Sequence, residues 1–300
     1  MAGLLFFIEV LVGGLLAGVM YSLVALGFVL IYKASSVFNF AQGSMVFFAV
    51  LTFVGFMELG LPFWLALPVT VGVMVLLGMI TERTVLRPLV NQNENTLLMA
   101  TIGLSFCVEG LAQLAWGVEV RRLDLGVHDE PIGWVADTLG MLISQLDITA
   151  GLVASVMVVV LALLFSRTKV GRGLRAVADD HAAAASIGIP LGQIWMLVWA
   201  VAGIVALVAG MLWGARSGVQ FALIGVALKA LPVLIIGGFT SVPGVIVAGL
   251  IVGAIEKTTE VYIGPFFNGG IEGWSPYVLA VIFLMFRAEG LFGEKIIRRV

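Results

Sequence analysis

The sequence predicts an all-α integral membrane protein, a polytopic helical bundle of about 8–9 transmembrane helices, some short or broken. Three observations carry that expectation. Of 300 residues, 61% are hydrophobic and only 11% charged, with a mean hydropathy of +1.14; a soluble domain is roughly half apolar and a quarter charged. The apolar runs approach or exceed the ~20 residues that cross a bilayer as helix, too long for the alternating strands of a β-barrel. Small residues recur at helical spacing inside several runs, which lets backbones approach closely in lipid.

Taken in order, the spans fall at 4–32, 45–59, 63–80, 97–116, 148–165 and 191–213, followed by 226–236, 242–255 and 277–286. The first carries Gly14, Gly18 and Ser22 at every fourth residue. It is too long for the apolar core of a leader peptide and opens without basic residues, so no cleavable leader is expected. The fourth holds Cys107, the single cysteine, which excludes an intrachain disulfide framework and reads as a small buried hydrophobe. The sixth repeats the small-residue stripe as Ala202, Ala206, Gly210 and Gly214, and the eighth as Gly249 and Gly253. Residues 1–300 read as a single transmembrane domain.

Basic residues set the orientation. Lys33, Arg83, Arg87, Arg167, Lys169, Arg172, Arg175, Arg287, Lys295, Arg298 and Arg299 fall on one side, assigned to the cytosol, while the loop 117–147 is acidic. Nine spans place the N-terminus outside. A formal net charge of −2 gives no general attraction to nucleic acid.

Enzyme chemistry finds little to work with. His128 and His181, the only histidines, both lie outside the spans, and the chain has no H-E-x-x-H and no Cys/His cluster for a metal. Nor does it contain G-x-x-x-x-G-K-[ST], so ATP, if used, is bound by another subunit. Among ionisable residues in or near spans, Lys229, Glu256 and Lys257 read as snorkelling ends, and Glu109 as one isolated deep carboxylate. On Glu109 rests the alternative of a self-sufficient secondary carrier or channel.

Three polar stretches interrupt the apolar pattern. In KASSVFNFAQGS, Ser35, Asn39 and Gln42 share one face if the segment is helical, with Ser44 beside them. Two readings stay open there, a break lining a water-filled path and an ordinary turn. In IIGGFTSVPG, which contains Thr240 and Ser241, a helical hairpin and a plain tight turn are both compatible with the glycines and proline. The third, 166–190, opens with Arg167, Lys169, Arg172 and Arg175, continues as an alanine-rich helix over 174–187, and stops at Gly188 and Pro190. It is a helix offered to a partner or a basic loop obeying the positive-inside rule.

These residues also carry a resemblance. GLLAGVMYSLVALGFVLIYKASSVFNFAQGS is similar to the opening of the LivH-like permease subunits of branched-chain amino acid ABC importers, whose pattern is G-x-x-x-G-x-x-Y-x-L-x-A-x-G followed by N-F-A-[HQ]-G. Gly14, Gly18, Tyr21, Leu23, Ala25 and Gly27 match the first part, and residues 39–43 the second. ERTVLRPL, GRGLRAVADD, IIGGFTSVPGVIVAGLIVG and FRAEGLFG continue the likeness in order. The resemblance implies a cytosolic coupling segment within 166–190, with Arg172, Arg175, Asp179, Asp180, Ala184 and Gly188 as contacts to an ABC ATPase subunit. Beside the translocation path expected at the two polar breaks, with Ser35, Asn39, Gln42, Ser44, Thr240 and Ser241, the resemblance places the Ser44 region at the border of that path. It further implies a bacterial inner-membrane location, a second related permease or a homodimer, a periplasmic solute-binding protein, alternating access, and no cofactor or metal of its own, ATP being bound by the partner. The substrate implied is a branched-chain amino acid or a similar small polar or carboxylated solute. Ser44 departs from the acidic residue many members carry there, and DDHAA departs from D-P-x-x-A.

Overall fold

The computed structural model describes residues 2–89, 92–179, 181–287 and 289–292. The helices are α1 Ala2–Ser35, α2 Gln42–Glu58, α3 Phe63–Thr81, α4 Glu94–Trp116, α5 Gly133–Leu139, α6 Gln145–Arg167, α7 Lys169–Asp179, α8 His181–Ser186, α9 Leu191–Ser217, α10 Ile224–Lys229, α11 Leu231–Gly237, α12 Val242–Tyr262 and α13 Ser275–Phe286. No strand occurs among the described residues; Arg121 bridges Val219 and Pro131 bridges Ser144 in isolation. Among the described residues, six helical stretches are long and apolar enough to cross a membrane, and three shorter apolar ones lie at Gln42–Glu58, Phe221–Gly237 and Ser275–Phe286. The short, broken helices expected near the C-terminal end are α10, α11 and α13.

On α3, burial runs opposite to that of a helix in a soluble bundle. The buried stripe is Ala66, Thr70, Met74, Gly78 and Thr81, mostly small or polar, while Trp64, Leu65, Leu76 and Ile80 are exposed. Lipid solvates the large apolar side chains, so close backbone approach, not hydrophobicity, distinguishes the protein-facing side.

The chain folds as two compact units, each assembled from separate segments. The first takes residues 1–25, 124–158 and 229–300. Its seam is the meeting of the two glycine stripes. A Cβ on Gly14 would fall 2.6 Å from the Gly253 carbonyl, and one on Gly18 would clash with the Gly249 carbonyl. Ser22 caps the contact by donating within its own helix to the Gly18 carbonyl (2.9 Å), with the Val245 carbonyl of α12 also in reach (3.3 Å). The 235–244 stretch is a tight helical hairpin. α11 ends at Gly237, Gly238 takes φ +97°, and Ser241 caps α12 by accepting from the Gly244 amide at 3.1 Å. Pro232 stands in the first turn of α11, where its missing N–H is harmless. The Leu291 amide closes on the Ile236 carbonyl at 2.7 Å.

The second unit takes residues 26–123 and 159–228. α9 is its hub, packed on α2 and α3. Gly210 faces Val46 and Val50 of α2, and Gly203 faces Met74 of α3, while Gly78 of α3 admits the Trp199 backbone. The expected stripe thus works as a packing face, with Ala202 and Ala206 fully buried in it.

Three expectations from the sequence are corrected. Cys107 is exposed, on a face of α4 it shares with Phe106 and Leu111, because α4 buries its Thr101, Val108 and Ala112 side instead. α12 runs seven residues past Ile255, so Glu256 is not a snorkelling end but 3% exposed inside the helix. The 35–42 stretch is not one helical face: α1 ends at Ser35, Ser36 takes φ +55°, and α2 begins at Gln42.

Candidate transport site and coupling segment

Two constellations in the second unit bear on function, one of polar side chains within the spans and one between them. The first begins at the α1–α2 break. Asn39 is fully buried; its Oδ1 accepts the Ala41 amide at 3.1 Å, which pins the turn, and its Nδ2 reaches Gln42 Oε1 at 3.4 Å. Gln42, equally buried, lies over Gly27, whose hypothetical Cβ would fall 2.9 Å from Gln42 Cδ; glycine is what makes room for the amide. Gln42 Nε2 finds no acceptor among the described residues. Two residues on, Ser44 donates to Glu109 Oε1 of α4 at 2.6 Å, Ser105 donates to the same oxygen at 3.0 Å, and the two hydroxyls are 2.7 Å apart. Thr101 ties α4 to the Phe38 carbonyl at 3.1 Å, and Trp116 Nε1 donates to Thr52 at 3.2 Å over the cleared surface of Gly55. Thr101, Ser105 and Glu109 are spaced i, i+4, i+8, so one stripe of α4 is polar from its N-terminal half to mid-span. Glu109 is therefore not isolated. The Ser105–Glu109 spacing was readable in the chain; the contribution of Ser44 from α2 was not.

Ser35 stands apart from this seam, its hydroxyl turned back to the Ile31 carbonyl at 2.8 Å. In the first unit Ser241 is spent as the α12 cap, and Thr240 sits half-buried in the hairpin turn.

The second constellation is the 166–190 segment. Its helix begins at Lys169, earlier than expected, and α7 and α8 are separate helices. α7 buries Gly171, Leu174 and Val177 and exposes Arg172. A Cβ at Gly171 would fall 2.6 Å from Phe165 Cα, so α7 is seated on the end of α6. Arg175 reinforces that seat by donating to the Phe165 carbonyl, a cation on a helix C-terminus. Ala184 is 2% exposed, packed inward, whereas Ile187 is 74% exposed. Gly188 takes φ +85° while the Ile189 amide bonds the Ala184 carbonyl at 3.0 Å, the Schellman closure that favours glycine. Asp179 ends α7; Asp180 lies outside the described residues. α7 and α8 both rest on α9.

The first unit holds a charged network that sequence reasoning assigned to snorkelling. Glu256 accepts from Tyr21 at 3.0 Å and Lys229 at 3.2 Å; Lys229 also approaches Glu272 at 3.9 Å, and Lys257 pairs with Glu272 at 3.5 Å. No group of three or more metal-ligating side chains occurs among the described residues.

An all-α chain with six membrane-length helices, glycine-cleared seams and polar groups held inside its spans is a multi-pass membrane protein of the permease class. The chain belongs to the family described as "Branched-chain amino acid transport system / permease component", whose model matches residues 10–287. It is 26% identical to the high-affinity branched-chain amino acid transport system permease protein BraD of Pseudomonas aeruginosa, covering 98% of both chains. It is 24% identical to the corresponding LivH of Escherichia coli, over 99% of this chain and 98% of that one. The solved structure "PsaBC from Streptococcus pneumoniae in complex with Fab" shares the fold at a TM-score of 0.50, with 15% identity over 91% of this chain and 89% of that one. The chain is accordingly a multi-pass inner-membrane protein.

Proposed function

We propose that this chain is the membrane-spanning subunit of an ABC importer for branched-chain amino acids or closely related small zwitterions, driven by separate ATP-binding subunits. The end-to-end likeness to permeases of high-affinity branched-chain amino acid systems, over 98% of the chain in the case of BraD, carries this reading.

The geometry of the second unit supports a route for the drive. α7 and α8 are seated on α6 and α9, α9 packs on α2, and α2 holds Ser44 against Glu109. An ATPase that pushes the exposed side of the coupling segment, where Arg172, Ile187 and Gly188 lie, moves α9 and with it the α2–α4 seam. Because Ala184 is buried, its part is to let α8 sit close; Arg175 and Gly188 hold the segment's shape. A half-buried carboxylate with hydroxyls around it, within the spans, suits the ammonium group of an amino acid. A solute-binding protein outside and a second permease subunit, a related chain or another copy, complete the assembly, and ATP is bound only by the partners.

Copurification in mild detergent tests the assignment. The expected result is recovery with soluble subunits carrying ATP-binding loops, together with ATP-dependent uptake of labelled leucine or a related amino acid when a binding protein is supplied. A homo-oligomer that moves solute without ATP would overturn it in favour of a self-sufficient carrier working through Glu109.

A further inference from the structure

We propose that the cleft between the turn following α3 and the first turn of α9 is a second, cytosolic binding site for a small zwitterion of the α-amino acid class, through which internal solute restrains uptake. The permease reading above supplies only the sidedness and the choice of solute.

The site is built around Glu82. Its side chain is 2% exposed, and its Oε1 has no hydrogen-bond partner among the described residues. Glu82 lines a cleft of about 360 Å³ together with Arg87, Pro190, Gly192, Gln193 and Met196. Gly192 lies directly against this buried oxygen: a Cβ there would stand 3.3 Å from it, so a larger side chain would press on the carboxylate. The backbone is adapted to present the pair of charges. Glu82–Leu86 is a π turn in which the Arg87 amide bonds the Glu82 carbonyl five residues back. On an ordinary α-helix, residues five apart diverge by about 140°. The wider turn returns Arg87 toward the Glu82 side, and such turns recur at functional sites.

The other wall is the start of α9, a 27-residue helix whose N-cap, Pro190, supplies no side-chain cap. Its first-turn N–H groups favour an anion. The cleft thus offers a buried carboxylate with an unused oxygen, a guanidinium and a helix N-terminus. A lone cation would satisfy Glu82 but face Arg87, and a lone anion would meet Glu82. A ligand carrying both charges, ammonium to Glu82 and carboxylate to Arg87 and the α9 N-terminus, matches all three. The volume is at the small end of the ~300–1,000 Å³ typical of small-molecule sites, suiting a single amino acid. Because Pro190 closes the coupling segment and Gly192 opens α9, a ligand here ties α3 to the coupling segment and opposes their relative movement.

The test uses the purified complex with its partner subunits and without the solute-binding protein, and reads equilibrium binding of labelled L-leucine. Saturable binding is expected in wild type, weakened at least tenfold by E82Q, by R87Q and by the cleft-filling G192V. Leucinamide and 4-methylpentanoate, each lacking one charge, should compete at least tenfold less well than leucine. In right-side-out vesicles supplied with binding protein, preloaded leucine should slow initial uptake by wild type but not by E82Q, while uptake into empty vesicles stays alike. Size-exclusion profiles confirm that each variant is folded. No binding by wild type, or equal binding by wild type and all three variants, overturns the proposal. So does the finding that wild type ignores leucine while E82Q sheds its ATPase subunit, which would assign Glu82 to a basic side chain of the partner. Absent uptake into empty wild-type vesicles would defeat the permease reading instead, and the binding measurement would still decide this site.

Discussion

Gly210→Ala and Gly103→Ala make the same chemical change in two helices and should move stability in opposite directions. At Gly210 the added Cβ would lie 2.7 Å from the Val46 carbonyl oxygen and 2.9 Å from Val50 Cβ, about 0.7 Å short of the 3.4 Å where ordinary contact begins. The nearest obstacle is backbone, so α2 and α9 must separate. Overpacking of that kind costs about 1–3 kcal/mol, part of which is offset by up to ~1 kcal/mol of helix propensity. Gly103 is an exposed residue of α4 with nothing within 4 Å of the added atom, so only the propensity gain remains. The two variants should therefore differ by about 1–3 kcal/mol. SDS titration followed by far-UV circular dichroism reads that difference, with Gly210→Ala unfolding at the lower SDS fraction. Because α9 joins the coupling segment to α2, the bulkier Gly210→Val should also cut uptake while ATP hydrolysis by the complex persists. If Gly210→Ala and Gly103→Ala unfold together, the close approach of α2 and α9 is wrong and so is the route drawn through it.

Ser44→Ala should weaken the α2–α4 seam by about 0.6 kcal/mol, the usual size of an interhelical hydrogen bond in a membrane. A double-mutant cycle with Ser105→Ala should show non-additivity, since both hydroxyls serve one Glu109 oxygen; strictly additive losses in SDS titration would separate them. At Gly188, alanine should cost ~1 kcal/mol because of its positive φ, and asparagine should recover part of the loss in both ATPase copurification and uptake. Recovery of neither would mean that the residue acts through contact with the partner and not through conformation. Lys229→Met strands a 3% exposed carboxylate. Breaking a buried pair costs on the order of 3–5 kcal/mol, but the lysine side chain is 30% exposed, so a smaller loss is expected. Adding Glu256→Gln should restore much of it, and a double variant worse than Lys229→Met would refute the pairing.

Composition and run length made the helical architecture legible, because crossing a bilayer imposes a minimum number of apolar residues on each element. The same uniformity hid the contacts. Lipid erases the apolar-in, polar-out signal, so Cys107 carried no mark of which side of α4 it would take. Glycine spacing did carry information: Gly14, Gly18, Gly249 and Gly253 were visible as stripes, though not as partners of one another. Helix ends were the weakest point. Glu256 looked terminal because a charged pair, Glu256–Lys257, usually closes a span, yet Tyr21 and Lys229 supply the partners that keep it inside. The sequence marked Ser35, Asn39 and Gln42 as a polar stripe; the structure keeps Asn39 and Gln42 together, sets Ser35 apart and brings Ser44 to Glu109. That geometry was not legible, because a loop rather than a helix places Asn39, and Glu109 comes from a helix some sixty residues away in sequence.

The first unit has a consequence for synthesis. Its opening helix carries a notch, floored by Gly14 and Gly18 and edged by Ser22, that is filled by α12, and Ser22 lies 223 residues before Val245. At ~5–20 residues per second, the ribosome delivers the filling helix roughly 10–45 s later. For that interval the nascent chain presents an unclosed glycine face to whatever else is in the bilayer. A product truncated before α12 keeps that face open for good, which gives membrane quality control a chemical mark by which to tell unfinished chains from finished ones.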